Sequence, residues 1–412
     1  MEYSYEEFDK DFVRKNKEVY MLTSIAIILL LGLLIGWLFS KLKLPSLLGM
    51  VVVGILLSPH ALNLIDESIL TISGELRQIA LVIILTRAGL SLDVSDLKKV
   101  GRPAVLMCFV PACVEMLGTI ILAPMLLGVS RLEAAIIGSV IAAVSPAVIV
   151  PRMIRLMEEG YGKSKSIPQL ILAGASVDDV FVIVVFTAFT TLASTGEIVA
   201  TSFVQIPISI VLGIIFGVIV GMGLVVFFKK CHIRDSVKIL IILSVSFLML
   251  ELENRLQGSV PFSGLLAIMS MGIVIKKKYN VLALRLSVKY NKLWLGAEVF
   301  LFVLVGATVD LRYVASAGVA AVLVILGAIA FRMVGVAFSL IKTDLSKKEH
   351  LFCMVAYTPK ATVQAAIGAI PLSMGLECGN IVLTVAVLSI LITAPFGAIC
   401  VDNLYNKLLD QG

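Results

Sequence analysis

Two adjacent carboxylates, Asp178 and Asp179, lie near the middle of an apolar stretch that runs from about Pro168 to Leu192. A helix of that length spans the ~30 Å hydrocarbon core of a bilayer, because each helical residue rises ~1.5 Å. An ionised side chain at that depth costs at least ~2.5 kcal/mol unless water, a proton, a cation or a basic partner neutralises it. The pair therefore predicts reversible binding of a proton or a metal cation inside the membrane.

Three further charged side chains lie deep in apolar stretches, namely Glu115, Arg332 and Lys360. Charges inside a membrane bundle usually face one another or a water-filled cavity. We expect Glu115 and Arg332 to form a buried ion pair, and we expect Lys360 to be the nearest cationic neighbour of the aspartates. Together these side chains predict one charged site in the membrane interior.

Two proline-containing breaks are expected beside this site. Proline removes a backbone donor and clashes with the preceding turn, so it interrupts a helix. The first break is Ser145-Pro146 and the second is Thr358-Pro359, with Thr362 just beyond it. Half-helix ends and unwound carbonyls can help to hold an ion, so we place these five residues near the ion site.

The composition of the chain indicates that these residues belong to a membrane protein. The chain has 412 residues, of which 59% are apolar and 15% are charged, and these values exclude an ordinary soluble globular domain. The pattern predicts an all-α polytopic membrane protein with 13 transmembrane helices. We place them at about 19–40, 44–58, 69–90, 103–128, 132–157, 167–195, 203–228, 237–251, 258–275, 293–310, 313–341, 350–373 and 380–405.

Lysine and arginine are concentrated in alternate loops, such as those at 98–102, 229–238 and 276–292. The positive-inside rule places these loops in the cytoplasm, which gives an N-terminus outside and a cytoplasmic C-terminus. The net charge of +6 is therefore a topology signal, and it predicts membrane lipid, with no nucleic acid, as the partner. We expect a multi-pass protein of the plasma membrane.

The chain also contains an internal repeat. Gly89-Leu90-Ser91-Leu92-Asp93 ends the third predicted span, and Gly306-Ala307-Thr308-Val309-Asp310 ends the tenth; Glu115 and Arg332 each follow the respective aspartate by 22 residues. The two proline breaks match in the same way. An offset of seven spans reverses the orientation of the second copy, so we predict inverted repeats with two crossed discontinuous helices.

Two stretches, Arg87–Asp93 and Thr358–Gln364, complete the pattern. Together with the aspartate pair, the Ser145-Pro146 break and the pair Glu115 and Arg332, they resemble the cation/proton antiporter superfamily, specifically the NHA branch of sodium/proton antiporters. The resemblance covers nearly the whole chain. It implies a bacterial-like form of the NhaA-like antiporter fold, a homodimer and an elevator-like mechanism. It also implies pH homeostasis and salt tolerance as the physiological role, with no enzyme activity and no cofactor beyond the transported ions.

By the same resemblance, Asp179 is the main cation and proton site, Asp178 is its neighbour, and Lys360 is the partner of Asp178. Glu115 and Arg332 correspond to a salt bridge inside the core. The chain is then divided into an extracytoplasmic tail (1–18), scaffold and dimerisation helices (19–93 and 236–311), core ion-translocation helices (101–195 and 313–405), a linker helix (203–230) and a cytoplasmic C-terminus (406–412).

The mechanism that we derive from this chemistry is a competition. Asp179 carries either a proton or, once deprotonated, a partly dehydrated alkali cation, and only these neutralised forms let the core cross the membrane. The residue types leave Na⁺, Li⁺ and K⁺ open, and they leave open whether Lys360 releases a second proton.

Other classes of protein use parts of this pattern. The alternative is a sodium-coupled organic-anion symporter, which could share the architecture but has no need for adjacent aspartates facing a lysine. An intramembrane aspartyl protease needs its two aspartates on separate helices. A cation channel suits two inverted broken helices less well than alternating access does.

Overall fold

The computed structural model describes residues 21–91, 101–195, 200–231, 233–256, 262–309 and 311–411. The predicted N-terminal tail (1–18) and the repeat residues Asp93 and Asp310 lie outside the described residues. Within them the chain is helical, and the only β pairing is a single bridge between Tyr161 and Gln411. Helices are expected here because lipid offers no hydrogen-bond partner to an open backbone.

The first nine helices carry the aspartate pair and the first proline break. They are α1 (Met21–Lys41), α2 (Ser46–Leu57), α3 (Glu67–Thr71), α4 (Ser73–Ser91), α5 (Arg102–Met107), α6 (Val110–Leu127), α7 (Arg131–Ile141), α8 (Pro146–Glu159) and α9 (Ile167–Thr195).

The remaining helices carry Arg332 and the second break. They are α10 (Ala200–Lys230), α11 (Asp235–Leu256), α12 (Gly264–Lys278), α13 (Asn280–Ala307), α14 (Leu311–Ser339), α15 (Lys347–Ala356), α16 (Thr362–Ile367), α17 (Ile370–Ser373) and α18 (Gly379–Leu408).

Every predicted span contains helix, which confirms an all-helical membrane protein. In the part of the chain that the structure describes, eight helical stretches are long and apolar enough to cross a membrane. The others are shorter, interrupted or more polar, so the count of 13 crossings stays a prediction. The tenth span differs most from the structure: α13 begins at Asn280, whereas the span was placed from about 293. Its basic residues extend the helix because lysine and arginine stems lie along apolar surface while their charges reach water.

The fourth predicted span contains a break that we did not predict. Helix α5 ends at Met107 and α6 begins at Val110, just before Pro111. Proline has no N–H to donate to the carbonyl four residues earlier, which here is that of Met107. The helix is therefore interrupted shortly before Glu115.

The most extensive helix contacts fall into two sets. In one set α13 packs against α2 and α4, and α12 packs against α4 and α10. In the other set α6 packs against α14 and α7, and α18 packs against α14 and α15. Within the first set α2 and α13 approach very closely: a Cβ on Gly54 would clash with the carbonyl oxygen of Val303. The division into scaffold and core remains a prediction that these contacts support.

Candidate ion-binding site

The two predicted proline breaks are both present, and they touch. Helix α7 ends at Ile141 and α8 begins at Pro146; α15 ends at Ala356 and α16 begins at Thr362. The backbone N–H of Ser145 donates to the carbonyl oxygen of Pro359 at 2.7 Å. This bond joins the two unwound segments, so the ends of four half-helices surround one small region.

Asp178 and Asp179 differ in their surroundings although they are neighbours on α9. Asp178 is fully buried, and its Oδ2 accepts hydrogen bonds from the backbone N–H of Val144 at 2.8 Å and from Arg332 at 2.8 Å. Asp179 is partly exposed, and its Oδ1 has no hydrogen-bond partner within the described residues. One oxygen of Asp178 is therefore held by the protein, while the partly exposed Asp179 is open to an ion or a proton.

Arg332 is the centre of the site. It is fully buried on α14, where one of its terminal nitrogens donates to Glu115 Oε2 at 2.7 Å and the other donates to Asp178. It also donates to the backbone carbonyls of Ala142 and Tyr357, one in each break. These carbonyls lie at the negative ends of α7 and α15, where a cation is favoured. The predicted Glu115 and Arg332 contact is confirmed.

The predicted pairing of Lys360 with Asp178 is not what the structure shows. The Lys360 ammonium donates to Glu115 Oε2 at 2.6 Å, and the side chain that contacts Asp178 is Arg332. The physical reason is the planar guanidinium, whose several N–H groups reach Glu115 and Asp178 at once. Glu115 Oε2 can accept two hydrogen bonds, so it accepts one from Arg332 and one from Lys360.

Two supporting residues were missed by the sequence reasoning. Gln364 donates through Nε2 to the carbonyls of Val140 at 3.1 Å and Ala143 at 2.9 Å, which are left without helical donors where α7 stops. Thr393 on α18 accepts a hydrogen bond from the backbone N–H of Lys360 at 2.8 Å. Gln364 belongs to the motif that carries the resemblance, but its type alone does not reveal which carbonyls it meets.

Several oxygen atoms in this region are buried without a hydrogen-bond partner among the described residues. They are Oδ1 of Asp178, Oδ1 of Asp179, Oγ of Ser145, Oγ1 of Thr362, Oε1 of Glu115 and Oε1 of Gln364. The described residues contain no group of three or more His, Cys, Asp or Glu side chains that could hold a metal ion. Carboxylate and hydroxyl oxygens are nevertheless the hard ligands that suit a small cation that is bound and released.

Comparisons with known proteins give matches over most of the chain. A family model described as "Sodium/hydrogen exchanger, transmembrane" matches residues 25–404. The Mus musculus protein named sodium/hydrogen exchanger 9B2 is 33% identical over 398 residues, which cover 91% of this chain and 72% of that protein. The Homo sapiens protein named sodium/hydrogen exchanger 9B1 is 30% identical over 384 residues, which cover 89% and 73%.

The fold is similar to that of a solved structure. The sodium proton antiporter MjNhaP1 from Methanocaldococcus jannaschii, solved at pH 8, matches with a TM-score of 0.83 at 21% identity. The match covers 94% of this chain and 98% of that chain. At this identity the likeness shows a shared fold.

Proposed function

Because the chain belongs to the sodium/hydrogen exchanger family, we propose that it exchanges Na⁺, with Li⁺ as a second substrate, for protons across a membrane, and that the two ions compete for Asp179. The relatives carry the names of exchangers, which supports a transporter and not an enzyme. The single observation that carries the assignment of Asp179 is the contrast within the pair: Asp178 is fully buried and its Oδ2 accepts hydrogen bonds from Val144 and Arg332, whereas Asp179 is partly exposed and its Oδ1 has no partner among the described residues.

The charge balance of the site supports competition for a single position. Three acids, Glu115, Asp178 and Asp179, lie together with two bases, Arg332 and Lys360. When all five are ionised the cluster carries one net negative charge. One monovalent cation or one proton brings it to neutrality, and either form lowers the cost of moving the site through the membrane interior. The two neutral forms exclude each other, and this exclusion links the two ion fluxes.

The position of Lys360 bears on the number of protons exchanged. Glu115 holds the Lys360 ammonium at 2.6 Å, so a cation that binds at Asp179 has no direct contact to break there. Lys360 then keeps its proton throughout the cycle. We therefore propose that one proton is exchanged for one cation.

The conformational part of the proposal is an elevator-like movement of the core (101–195 and 313–405) against the scaffold (19–93 and 236–311). The two sets of helix contacts support this division. We further propose 13 crossings, two crossed discontinuous helices, a homodimer formed through the scaffold, and a plasma-membrane location with the C-terminus in the cytoplasm.

The test is ion exchange by the purified protein in proteoliposomes that contain a pH-sensitive dye. An imposed pH gradient should collapse when Na⁺ or Li⁺ is added outside, and the rate should saturate with cation concentration. Protons should act as competitors, so the apparent KM for Na⁺ should rise as the pH falls. Uptake of a labelled organic anion that depends on Na⁺ but not on pH would instead favour the symporter, and it would overturn the exchange proposal.

A further inference from the structure

Tyr357 lies where the second interrupted helix stops, between Ala356 at the end of α15 and the proline break. It is fully buried, and it is among the largest fully buried side chains of the described residues. The sequence reasoning gave it no role. Its contacts connect the guanidinium at the centre of the site to two other helices.

The first connection is to Arg332. The guanidinium carbon lies 4.9 Å from the centre of the Tyr357 ring, which is within the range of a cation–π contact. The Arg332 Nε also donates to the Tyr357 carbonyl oxygen at 2.6 Å. Tyr357 thus contacts both the face and the edge of the Arg332 guanidinium. The two terminal nitrogens of the same guanidinium contact Asp178 and Glu115.

The second connection is to the unpredicted break between α5 and α6. The Tyr357 hydroxyl donates to the carbonyl oxygen of Met107 at 3.0 Å. That carbonyl lies four residues before Pro111, so the helix itself has no N–H to offer it. A buried carbonyl without a donor is costly. The hydroxyl satisfies this carbonyl, and the bond anchors the aromatic ring.

The third connection is to α9. A Cβ added to Gly174 would lie 2.5 Å from the Tyr357 hydroxyl oxygen and 2.8 Å from Cβ of Met107. Gly174 precedes Asp178 by one helical turn, on the same face of α9. Because residue 174 is glycine, α9 can lie directly against the Tyr357 hydroxyl. Tyr357 therefore also affects the position of α9, and with it the position of Asp178 relative to Arg332.

We propose that Tyr357 is a positioning residue of the ion site. It holds the Arg332 guanidinium against Asp178 through its ring, and its hydroxyl ties that ring to the Met107 carbonyl, with Gly174 leaving the space. This inference rests on the proposed exchange function. The charged and titratable groups around the contact are Glu115, Asp178, Asp179, Arg332, Lys360 and the thiols of Cys108 and Cys113.

The first arm of the experiment compares Tyr357→Phe, which removes only the hydroxyl, with Tyr357→Leu, which also removes the ring face. A loosened guanidinium neutralises Asp178 less well, so protons should compete with Na⁺ up to a higher pH. We expect Tyr357→Leu to raise the KM for Na⁺ about tenfold, the size of one lost buried cation–π contact, and Tyr357→Phe to raise it less. The pH of half-maximal exchange should move to alkaline values in the same order, with the maximal rate nearly unchanged.

The second arm uses Gly174→Ala and the double variant Gly174→Ala with Tyr357→Phe. The added methyl group clashes with the hydroxyl, so the single variant should lose Na⁺ affinity. Removing the hydroxyl should recover part of that affinity. Tyr290→Phe is the matched control, because Tyr290 is fully buried in α13 away from the site, and its KM and pH profile should match the wild type.

Each variant is also tested for Na⁺-dependent thermal stabilisation, which measures binding without transport. A wild-type protein without exchange would refute the proposed function, and the stabilisation data would still decide the role of Tyr357. If the Tyr357 variants lose only yield or maximal rate, with unchanged KM, pH profile and Na⁺-dependent stabilisation, then Tyr357 has a structural role alone. A double variant worse than both single variants would equally contradict the proposed contact.

Discussion

At the scale of single residues, the structure gives different surroundings to two chemically identical neighbours. Asp178 is fixed by a backbone N–H and a guanidinium, while Asp179 is partly exposed with an oxygen that has no partner among the described residues. Adjacent residues on a helix point about 100° apart, so one can serve the protein framework while the other faces the ion. The difference lies in the neighbours and not in the acids.

The first prediction concerns Asp179. The substitution Asp179→Asn keeps the shape but cannot exchange a proton for a cation, so Na⁺-driven collapse of a pH gradient should fall to the level of empty vesicles. The measurement is dye fluorescence in everted vesicles that contain equal amounts of protein. Asp344→Asn, at an exposed position before α15, is the matched control and should keep wild-type activity. Exchange by Asp179→Asn at the wild-type rate would show that the ion binds elsewhere.

The second prediction concerns Arg332, whose charge alone is not sufficient. Lysine in its place keeps the charge but loses the planar fork that reaches two carboxylates and two carbonyls. Leaving some of these buried groups unpaired should cost ~2–5 kcal/mol, which lowers the unfolding midpoint by roughly 5–10 °C.

The measurement for Arg332 is thermal unfolding of the purified protein in detergent. Arg285→Lys is the control, because Arg285 lies in an exposed pair with Asp235, and such pairs contribute at most ~1 kcal/mol. Equal midpoints for the two variants would contradict the central role of Arg332.

The sequence identifies the charged residues of the site but not all of their pairings. Asp178, Asp179, Glu115 and Arg332 are evident because an intramembrane charge has few harmless explanations. The repeat spacing predicts the contact between Glu115 and Arg332. It does not predict that Lys360 turns to Glu115, because a long flexible side chain can reach several acids. Tyr357 and Gln364 act through backbone carbonyls, whose free positions become known only once the helix breaks are located.

At the scale of helices, the two interrupted segments begin in the same way. Ser130 with Glu133 and Ser346 with Glu349 each form a reciprocal capping box at the start of α7 and α15. Both helices then stop after about three turns and resume beyond a short unwound segment. The signature Ser-x-x-Glu is readable in the sequence, and with the prolines it would have strengthened the predicted repeat. The break at Met107 was missed because its proline was read as part of a continuous span.

The third prediction concerns Gln364, which closes the end of α7 through two hydrogen bonds. Gln364→Leu leaves the carbonyls of Val140 and Ala143 without these donors, at ~1–3 kcal/mol for each buried group left unpaired. The unwound segment should rearrange beside Asp178, so we expect the KM for Na⁺ to rise at least about tenfold.

Gln78→Leu, an exposed glutamine on α4, is the matched control for hydrophobic substitution. The measurement is the Na⁺ concentration dependence of proton flux in proteoliposomes. A Gln364→Leu protein with wild-type affinity would show that the ends of α7 and α8 hold their shape without the amide.

At the scale of the whole molecule, the membrane character and the helical class follow from composition and charge pattern. The close packing of the helices does not, because it depends on which small residues face each other. The contacts of the C-terminal helix could not be predicted from the sequence either. Asp402 forms ion pairs with Arg152 and Arg155 at 3.0 Å, and these pairs join the last part of α18 to α8. Such surface pairs join positions 250 residues apart that no local pattern relates.

The last prediction concerns the charge moved in one complete cycle. Since Glu115 retains the Lys360 ammonium, the mobile unit carries the same net charge with a proton as with Na⁺, and one-for-one exchange should not respond to voltage. If each cycle moved one net charge, 100 mV would contribute ~2.3 kcal/mol, and the equilibrium Na⁺ gradient would shift about 50-fold.

The measurement is the Na⁺ gradient at which proton flux through proteoliposomes reverses, with the membrane potential set by K⁺ and valinomycin. We expect the reversal point to equal the imposed proton gradient at 0 mV and at about −100 mV alike. Liposomes without protein control for leak. A reversal point that moves with the potential would mean that a second proton leaves the site in each cycle, with Lys360 as its source, and the contact between Lys360 and Glu115 would then have to break during transport.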